Sequence, residues 1–186
     1  LPAFKDKRYL TVDNKPVFLI YKPLQHPEMR IFISLWQKLA IENGLNGIYF
    51  IGHSYKASER VALLNLGFDA VNLVRMYAYK KQKAFYLKQE WSKIRKILFH
   101  VPRIVNYKDV SRYFSGEEDR ELTTIPTVIP NWDHTPRSGN DGLVFYNAKP
   151  EYFQEHLKDV LEKVHEKPEE ERLVFVKSWN EWAEGN

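Results

Sequence analysis

The chain contains no cysteine among its 186 residues. Disulfides and thiolate metal sites are therefore excluded, and the absence fits a reducing compartment. No apolar stretch approaches the roughly 18 residues that a membrane-spanning helix requires. The N-terminal residues Leu-Pro-Ala-Phe-Lys-Asp-Lys-Arg lack the hydrophobic region of a signal peptide. We therefore expect a cytoplasmic protein without an integral membrane segment.

Several motifs of common enzyme classes are also missing from the sequence. It has no G-x-G-x-x-G or Walker phosphate loop, no nucleophile elbow and no Asp-x-Asp string. Nucleotide-binding folds, acyl-transfer triads and one class of metal-dependent transferase are thereby disfavoured. His53, Asp133, His134 and Glu181 lack the short spacing of metal ligands, so we predict no metal site and no cofactor.

Aromatic residues, in contrast, are abundant: the chain contains 5 Trp, 11 Tyr and 11 Phe, or 15% of its residues. Three of the five tryptophans, Trp132, Trp179 and Trp182, stand beside polar candidate site residues. Indole rings offer flat apolar surfaces that can cover the apolar faces of sugar rings. This distribution favours a ring-binding cleft over a purely structural role for these tryptophans.

The positive charge of the chain is concentrated between Arg75 and Lys96. This segment has eight basic residues and one acidic residue, Glu90, giving it a net charge of +7 in a chain whose net charge is +4. A helix with a solvated basic face and an aromatic inner face is the simplest interpretation. A nucleic-acid surface and a site that attracts an anionic glycan or a sugar phosphate are the alternatives.

Strand-like and helix-like segments alternate along the chain. Strands are predicted at Val17–Tyr21, Gly47–Gly52, Ala70–Val74, Ile125–Ile129 and Leu173–Lys177, helices at Glu28–Asn43, Ser58–Leu66, Lys80–Phe99 and from Pro150, and loops at Ser115–Glu121 and Arg137–Gly142. This alternation is typical of parallel strands joined by helical crossovers. Without a phosphate loop, a parallel-stranded α/β (β/α)8 TIM-type barrel is favoured over a doubly wound sheet. Because a full barrel takes about 250 residues, we expect its C-terminal five βα units, as a single catalytic-type domain over residues 1–186 that is incomplete at both ends.

Polar and aromatic side chains follow several of the predicted strands. Tyr21 ends the first, His53 follows the second, and Trp132, Asp133 and Arg137 follow the fourth. In parallel α/β proteins this end of the strand is where sites are built. Asp and Arg can bind sugar hydroxyls there, while Trp forms a wall. The local alternatives are an Asx turn at Asp133 and a structural ion pair between Asp133 and Arg137.

The last predicted strand leads into the densest group of candidate residues: Trp179, Asn180, Glu181, Trp182 and Glu184. Two carboxyl groups between flat aromatic surfaces suit carbohydrate chemistry, because one group can donate a proton while the other accepts one. Residues three apart on an extended strand point to opposite faces. Glu181 and Glu184 can therefore share a pocket only if the chain curls after Glu181. The alternative is that the tryptophans pack in the core and the glutamates face water.

Five strings resemble the WbsX-type family: KPVFLIYKP (15–23), GLNGIYFIG (44–52), VIPNWDHTPR (128–137), GLVFYNAKPEYF (142–153) and EERLVFVKSWNEWAEG (170–185). That family is found in bacterial O-antigen, capsule and exopolysaccharide gene clusters and is labelled glycosyltransferase-like. It is similar to family 99 glycoside hydrolases, which include the endo-α-mannosidases. The resemblance implies a (β/α)8 barrel that acts on α-linked sugars, with an oligo- or polysaccharide as substrate. Because the charge pattern favours a solvated basic helix face, we expect no nucleic acid as partner.

The resemblance also implies roles for the two glutamates. Glu181 matches the base that takes the proton from the sugar 2-hydroxyl, which then displaces the leaving group through an anhydro-sugar intermediate. Glu184 matches the acid that protonates the leaving oxygen and later activates water. Tyr21, His53, Trp132, Asp133, Arg137, Trp179, Asn180 and Trp182 are the expected substrate-binding residues. The leading hypothesis is a glycoside hydrolase-like enzyme, and the alternatives are a glycosyltransferase of polysaccharide biosynthesis and a non-catalytic glycan-binding domain.

Overall fold

The computed structural model describes residues 2–179, without the side chains of 86–89, 92, 93 and 96. Its strands are β1 (Thr11–Val12), β2 (Lys15–Ile20), β3 (Tyr49–Ser54), β4 (Ala70–Leu73), β5 (Arg103–Asn106), β6 (Thr124–Val128), β7 (Leu143–Tyr146) and β8 (Phe175–Val176). Its helices are α1 (Met29–Glu42), α2 (Arg60–Leu66), α3 (Lys83–Phe99), α4 (Tyr107–Val110), α5 (Thr135–Ser138) and α6 (Pro150–His165). Parallel strands with intervening helices confirm the predicted α/β class.

The described chain divides into two compact units. The first comprises the chain up to Val74 together with Glu117–Pro126 and Lys163–Leu173. The second comprises Arg75–Gly116, Thr127–Glu162 and the stretch from Val174. Strand β6 begins in the first unit and ends in the second.

The first unit contains a parallel sheet in which β2 pairs with β3, β3 with β4, and β4 with the start of β6. Strand β1 pairs with β2 in the antiparallel direction. All six residues of β3 are buried, which is the pattern of a strand covered on both faces. Helix α1 contributes Met29, Ile33 and Ala40 to a core that also contains Phe50 and Leu63. These positions lie on one face of the helix. The amphipathic spacing of the sequence had grouped Ile31, Leu35, Trp36 and Leu39 with Ala40, but of these only Ala40 is buried, so that part of the prediction was wrong.

Side-chain hydrogen bonds hold β3 and the residue before it in place. The Gln37 side chain of α1 donates from Nε2 to the Ile48 carbonyl over 2.8 Å and accepts from the Ile48 amide over 2.9 Å. A carboxylate oxygen of Asp69 accepts from the Phe50 amide over 2.8 Å. Burial is the main cause that raises the pKa of Asp69. These bonds satisfy backbone groups that would otherwise be buried without partners.

The second unit contains two parallel strand pairs, β5 with β7 and the end of β6 with β8. Aromatic rings form much of its interior: Tyr107 lies 5.9 Å from Phe114 and 6.1 Å from Phe145, centroid to centroid. The Tyr107 hydroxyl donates to the Ile129 carbonyl over 2.6 Å, just beyond the end of β6. Burial raises the pKa of this phenol. The ring thus anchors the chain that leads from β6 toward the candidate site residues.

The five predicted strands and four predicted long helical segments are all present, with shifted ends. The parallel pairing of the five apolar runs is confirmed, since β2 pairs with β3, β3 with β4, β4 with β6 and β6 with β8, all in parallel. Strands β5 and β7 were not predicted because each has only four residues: β5 contains just two apolar residues, and the apolar run of β7 is too short to distinguish a strand from a loop.

Both predicted loops contain short helical turns, and that part of the prediction was wrong. Glu117–Arg120 forms a 3-10 turn that begins with three acidic residues, which suit the positive end of a helix. Helix α5 begins beside Pro136, whose fixed φ favours the first helical turn, and a 3-10 turn follows at Gly139–Asp141.

The basic segment is helical, as predicted, but its aromatic residues are divided. Tyr79 and Phe85 are buried, with ring centroids 5.6 Å apart. Trp91, which was expected on the inner face, is exposed. The basic residues Lys81, Lys83 and Arg95 are exposed, in agreement with a solvated basic surface.

Candidate functional site

Three rings cluster at the carboxyl ends of β2 and β3 in the first unit. The His53 ring lies 4.9 Å from the Tyr21 ring and 4.8 Å from the Tyr55 ring, centroid to centroid. His53 is 7% exposed, whereas Tyr21 is largely exposed. Lys22 places its ammonium 5.1 Å from the centre of the Tyr21 ring. The cluster thus has a buried imidazole, a phenol open to solvent and a cation at its margin.

A cleft of about 230 Å³ adjoins this cluster. Its polar lining includes Lys22, His53, Ser54, Lys56 and Glu59. The Ser54 hydroxyl donates to Glu59 Oε2 over 2.5 Å, and the Lys56 ammonium donates to Glu59 Oε1 over 2.9 Å. A cleft of this size, with aromatic walls and several hydrogen-bonding groups, can hold a sugar residue.

The electrostatics of the cleft decide what Glu59 can do. The hydrogen bonds from Ser54 and Lys56 hold the pKa of the Glu59 carboxyl below its usual range. A carboxyl group in that state is ionised at neutral pH and cannot serve as a general acid there. Glu59 therefore acts as a hydrogen-bond acceptor that fixes the position of Ser54 and Lys56.

The second unit contains a separate cluster after β6. Trp132 and His134 stack with their ring centroids 5.9 Å apart and their planes inclined by 17°. The Lys177 ammonium, just after β8, lies 5.0 Å from the centre of the Trp132 ring. Trp132 is only 6% exposed. In the described structure this indole packs against His134 and Lys177, and little of its surface is open to a ligand.

Backbone bonds to β7 hold the Trp132–His134 segment in place. The Phe145 amide donates to the Trp132 carbonyl over 2.8 Å, and the His134 amide donates to the Leu143 carbonyl over 3.0 Å. Asp133 forms an isolated antiparallel bridge with Val144 between them. The missed strand β7 is thus the support on which these predicted residues depend.

Asp133 also has a local structural task. Its Oδ1 accepts from the Thr135 amide over 2.8 Å and from the Thr135 hydroxyl over 2.6 Å. This is the Asx turn that the sequence analysis gave as an alternative, and it is confirmed. Arg137 lies one turn later in α5 and is exposed. Substrate binding by Asp133 and Arg137 stays a prediction.

The C-terminal candidates are described only in part. Trp179 is 85% exposed, two residues beyond Lys177. Its indole is open to a ligand or a neighbouring segment. Asn180, Glu181, Trp182 and Glu184 lie outside the described residues.

Tyr55 and Lys177 join the clusters without having been singled out from the sequence. Tyr55 was detectable, because residues two apart on a strand share a face and His53 was already a candidate. Lys177 gave no signal, since its contact with Trp132 is long-range in sequence.

A further polar contact lies at the carboxyl ends of β5 and β7. There the side-chain amide of Asn147 donates to Asn106 Oδ1 over 3.1 Å. Neither strand had been predicted, so this contact was not expected from the sequence.

Within residues 2–179, no group of three or more His, Asp or Glu side chains is arranged to hold a metal ion. Over the same residues, no helix has the length and apolarity needed to cross a bilayer.

The whole chain, residues 1–186, matches the family described as "Glycosyltransferase WbsX". The chain belongs to the WbsX family. Two curated relatives, both named "Uncharacterized protein WxcX" and both from Xanthomonas campestris pv. campestris, are 25% identical to it over 187 residues. The match covers 97% of the WbsX chain and 25% of each relative. The chain thus spans about a quarter of the length of the curated relatives it matches.

Two solved structures of the GH99 endo-alpha-mannosidase from Bacteroides thetaiotaomicron are similar in fold. One has a TM-score of 0.52 at 18% identity, and the other, in complex with bis-tris-propane, has a TM-score of 0.53 at 19% identity. Each covers 94% of the WbsX chain, which in turn spans 44% and 47% of the respective chains. The WbsX chain therefore belongs to a carbohydrate-related enzyme family and shares its fold with part of a GH99 enzyme.

Proposed function

We propose that this chain contributes the sugar-binding and catalytic end of a carbohydrate-active enzyme that cleaves or remodels an α-linked polysaccharide. The observation that carries the proposal is the placement of aromatic and hydrogen-bonding side chains directly after β2, β3 and β6. These strands belong to a fold similar to that of endo-α-mannosidases. In (β/α)8 barrels this end of the strands carries the active site. We further propose that residues 1–186 belong to a single (β/α)8 barrel domain.

Tyr21, His53 and Tyr55 are suited to hold one sugar residue. The exposed Tyr21 ring would cover an apolar sugar face, while the cleft beside His53 would bind hydroxyl groups through Ser54 or Lys56. The ionised Glu59 keeps Lys56 and Ser54 in position.

The second unit contains further residues that we assign to sugar binding. We assign Trp132, Asp133 and Arg137 to substrate binding, with Trp132 backing the imidazole of His134. The open indole of Trp179 is available for stacking on a sugar ring. We assign Asn180 and Trp182 to the same role from the sequence motif.

Glu181 and Glu184 are the proposed catalytic residues. Glu181 takes the proton of the sugar 2-hydroxyl, whose oxygen attacks the anomeric carbon as the glycosidic bond breaks. Glu184 gives its proton to the departing oxygen. In the second step Glu184 takes a proton from water, the water oxygen opens the anhydro ring at the anomeric carbon, and Glu181 returns its proton to the 2-oxygen. The result is one bond hydrolysed, with both carboxyl groups restored.

A glycosyltransferase is the second candidate, favoured by the description of the family to which the chain belongs. In that case an acceptor hydroxyl group replaces water, and an activated sugar donor supplies the leaving group. The same aromatic clusters would bind donor or acceptor. The two candidates differ in their products and not in the residues that bind sugar.

Product analysis separates the candidates. The full-length protein is incubated with the cognate polysaccharide and with α-linked manno-oligosaccharides, and new reducing ends are measured along with product masses. Release of reducing ends that is lost in Glu184→Gln supports hydrolysis. Elongated products that require an activated donor support transfer. Tight sugar binding without either product contradicts both enzyme candidates and leaves a glycan-binding domain.

A further inference from the structure

Helix α3 exposes large apolar side chains near its C-terminal end. Trp91, Ile94, Ile97, Leu98 and Phe99, here called the α3 apolar surface, are between 46% and 73% exposed. Phe85, nearer the start of the helix, is buried. A surface helix normally turns such residues to the core, and contiguous apolar surface on a protein marks an interaction site.

The α3 apolar surface lies in the most basic part of the chain. By sequence, α3 has five basic residues and one acidic residue, and Lys80 and Lys81 precede it. Helix α1 offers a comparison, because it also exposes large apolar residues, Ile31 and Ile41 among them. Its charged residues are Arg30, Lys38 and Glu42, so its net charge is close to neutral. Exposed apolar area coincides with strong positive charge in α3 and not in α1.

We propose that the α3 apolar surface docks on an anionic lipid membrane, with α3 lying in the plane of the interface. Tryptophan and aliphatic side chains enter the boundary between headgroups and acyl chains, while Lys and Arg are attracted to anionic headgroups. Arg95, which is exposed among the apolar residues, contributes to this attraction.

The charge of α3 also argues against a second copy of the chain as the partner of the α3 apolar surface. Packing two α3 helices against each other would bring together two helices that each carry a net charge of +4 by sequence, and like charges across an interface are unfavourable. An anionic surface neutralises the same charge. The inference depends on α3 alone and not on the proposed sugar chemistry.

Vesicle binding by the full-length protein tests the proposal. Sucrose-loaded vesicles of phosphatidylcholine with 30% phosphatidylglycerol are compared with vesicles of phosphatidylcholine alone, by co-sedimentation at low and high salt. We expect at least tenfold stronger partitioning to the anionic vesicles, weakened by salt because headgroup attraction is screened. Equal partitioning to both vesicle types, or none, overturns the proposal.

Matched variants locate the contact. Ile97→Ala with Leu98→Ala removes apolar area from α3, and alanine keeps a high helix propensity. Ile31→Ala with Ile41→Ala is the control, because these α1 residues have similar exposure, 66% and 64%. We expect the α3 pair to lower partitioning at least tenfold and the α1 pair to leave it within twofold.

A charge variant provides an independent check that does not alter the apolar surface. Lys83→Gln with Arg95→Gln should weaken binding to anionic vesicles, whereas Lys38→Gln in α1 should not. If the α3 apolar variant instead lowers the thermal midpoint by several degrees without affecting vesicle binding, α3 packs within the protein. If it lowers the molecular mass in light scattering, α3 binds a second copy. Either result contradicts membrane docking.

Discussion

The rings of His53 and Tyr55 lie 4.8 Å apart at an angle of 79°, an edge-to-face contact between two residues at the carboxyl end of β3. Tyr21 approaches the same imidazole from the end of β2, at 4.9 Å. The Tyr21–His53 contact links β2 and β3, two parallel strands, at the end where α/β enzymes build their sites. The rings of Tyr21, His53 and Tyr55 together form an aromatic wall beside the cleft.

Replacing Tyr55 by Leu should weaken glycan binding. The change removes the ring that supports His53 and lines the cleft, and one aromatic contact is worth about 1 kcal/mol, or roughly 3–10-fold in Kd or KM. Calorimetric titration of the full-length protein with an oligosaccharide measures the effect. Tyr146→Leu is the control, since Tyr146 is an exposed residue of β7. Equal losses in both variants would remove Tyr55 from the site.

Replacing Ser54 by Ala should raise the pKa of Glu59 toward its usual value, because Ser54 is the largest cause of its lowering. A lowered carboxyl pKa stabilises the fold above the usual pKa, and the effect is lost as pH falls through the lowered value. The deficit of Ser54→Ala in unfolding free energy should therefore be about 1–2 kcal/mol at pH 7 and smaller at pH 3. Urea unfolding at both pH values tests this. Glu162→Gln, in an exposed pair with Lys158 at 3.9 Å, should have little effect at either pH.

Replacing Tyr107 by Phe should destabilise the protein by about 1–3 kcal/mol, because the Ile129 carbonyl loses its buried donor. Phe preserves the packing against Phe114 and Phe145, so the cost reports the hydrogen bond. Tyr152→Phe is a suitable control, since that ring is only half-buried. A Tyr107→Phe protein as stable as the wild type would show that the hydroxyl does not anchor the end of β6.

Replacing Lys167 by Met should remove a rise in stability at alkaline pH. Lys167 is buried, its ammonium donates to the Thr124 carbonyl over 2.5 Å, and burial lowers its pKa. Between that lowered value and the ordinary value of about 10.4, the unfolded state binds more protons, so stability rises with pH. Urea unfolding from pH 7 to 10 should show this rise in the wild type and in Lys158→Met, whose lysine is exposed. Identical slopes in Lys167→Met would contradict it.

The sequence predicted the parts of the fold that have strong periodic signals. Buried apolar runs identified β2, β3 and β4, and the length of the α1 segment identified a crossover between parallel strands. It did not predict β5 and β7, whose four residues are only partly buried. Nor did it predict that Trp91 would be exposed, because periodicity cannot reveal which face of an amphipathic helix has a partner.

The sequence predicted which residues belong to the candidate site, but it did not predict the contacts between them. His53 and Trp132 were identified because each follows an apolar run, but Lys177 joins Trp132 only through the pairing of β6 with β8. The roles of Glu181 and Glu184 rest on the motif, and both residues lie outside the described part of the chain. The cytoplasmic location also stays a prediction.

Leaving-group dependence in the two glutamate variants tests the central claim most directly. The full-length wild type, Glu181→Gln, Glu184→Gln and the control Glu169→Gln, an exposed carboxylate, are assayed on an oligosaccharide and on an activated aryl glycoside. We predict that Glu184→Gln lowers oligosaccharide hydrolysis by roughly 10²–10⁴-fold but aryl glycoside cleavage much less, because an activated leaving group needs little protonation. Glu181→Gln should impair both substrates, since the 2-hydroxyl must still lose its proton. Small and equal losses in the two variants, no larger than in Glu169→Gln, would contradict the account.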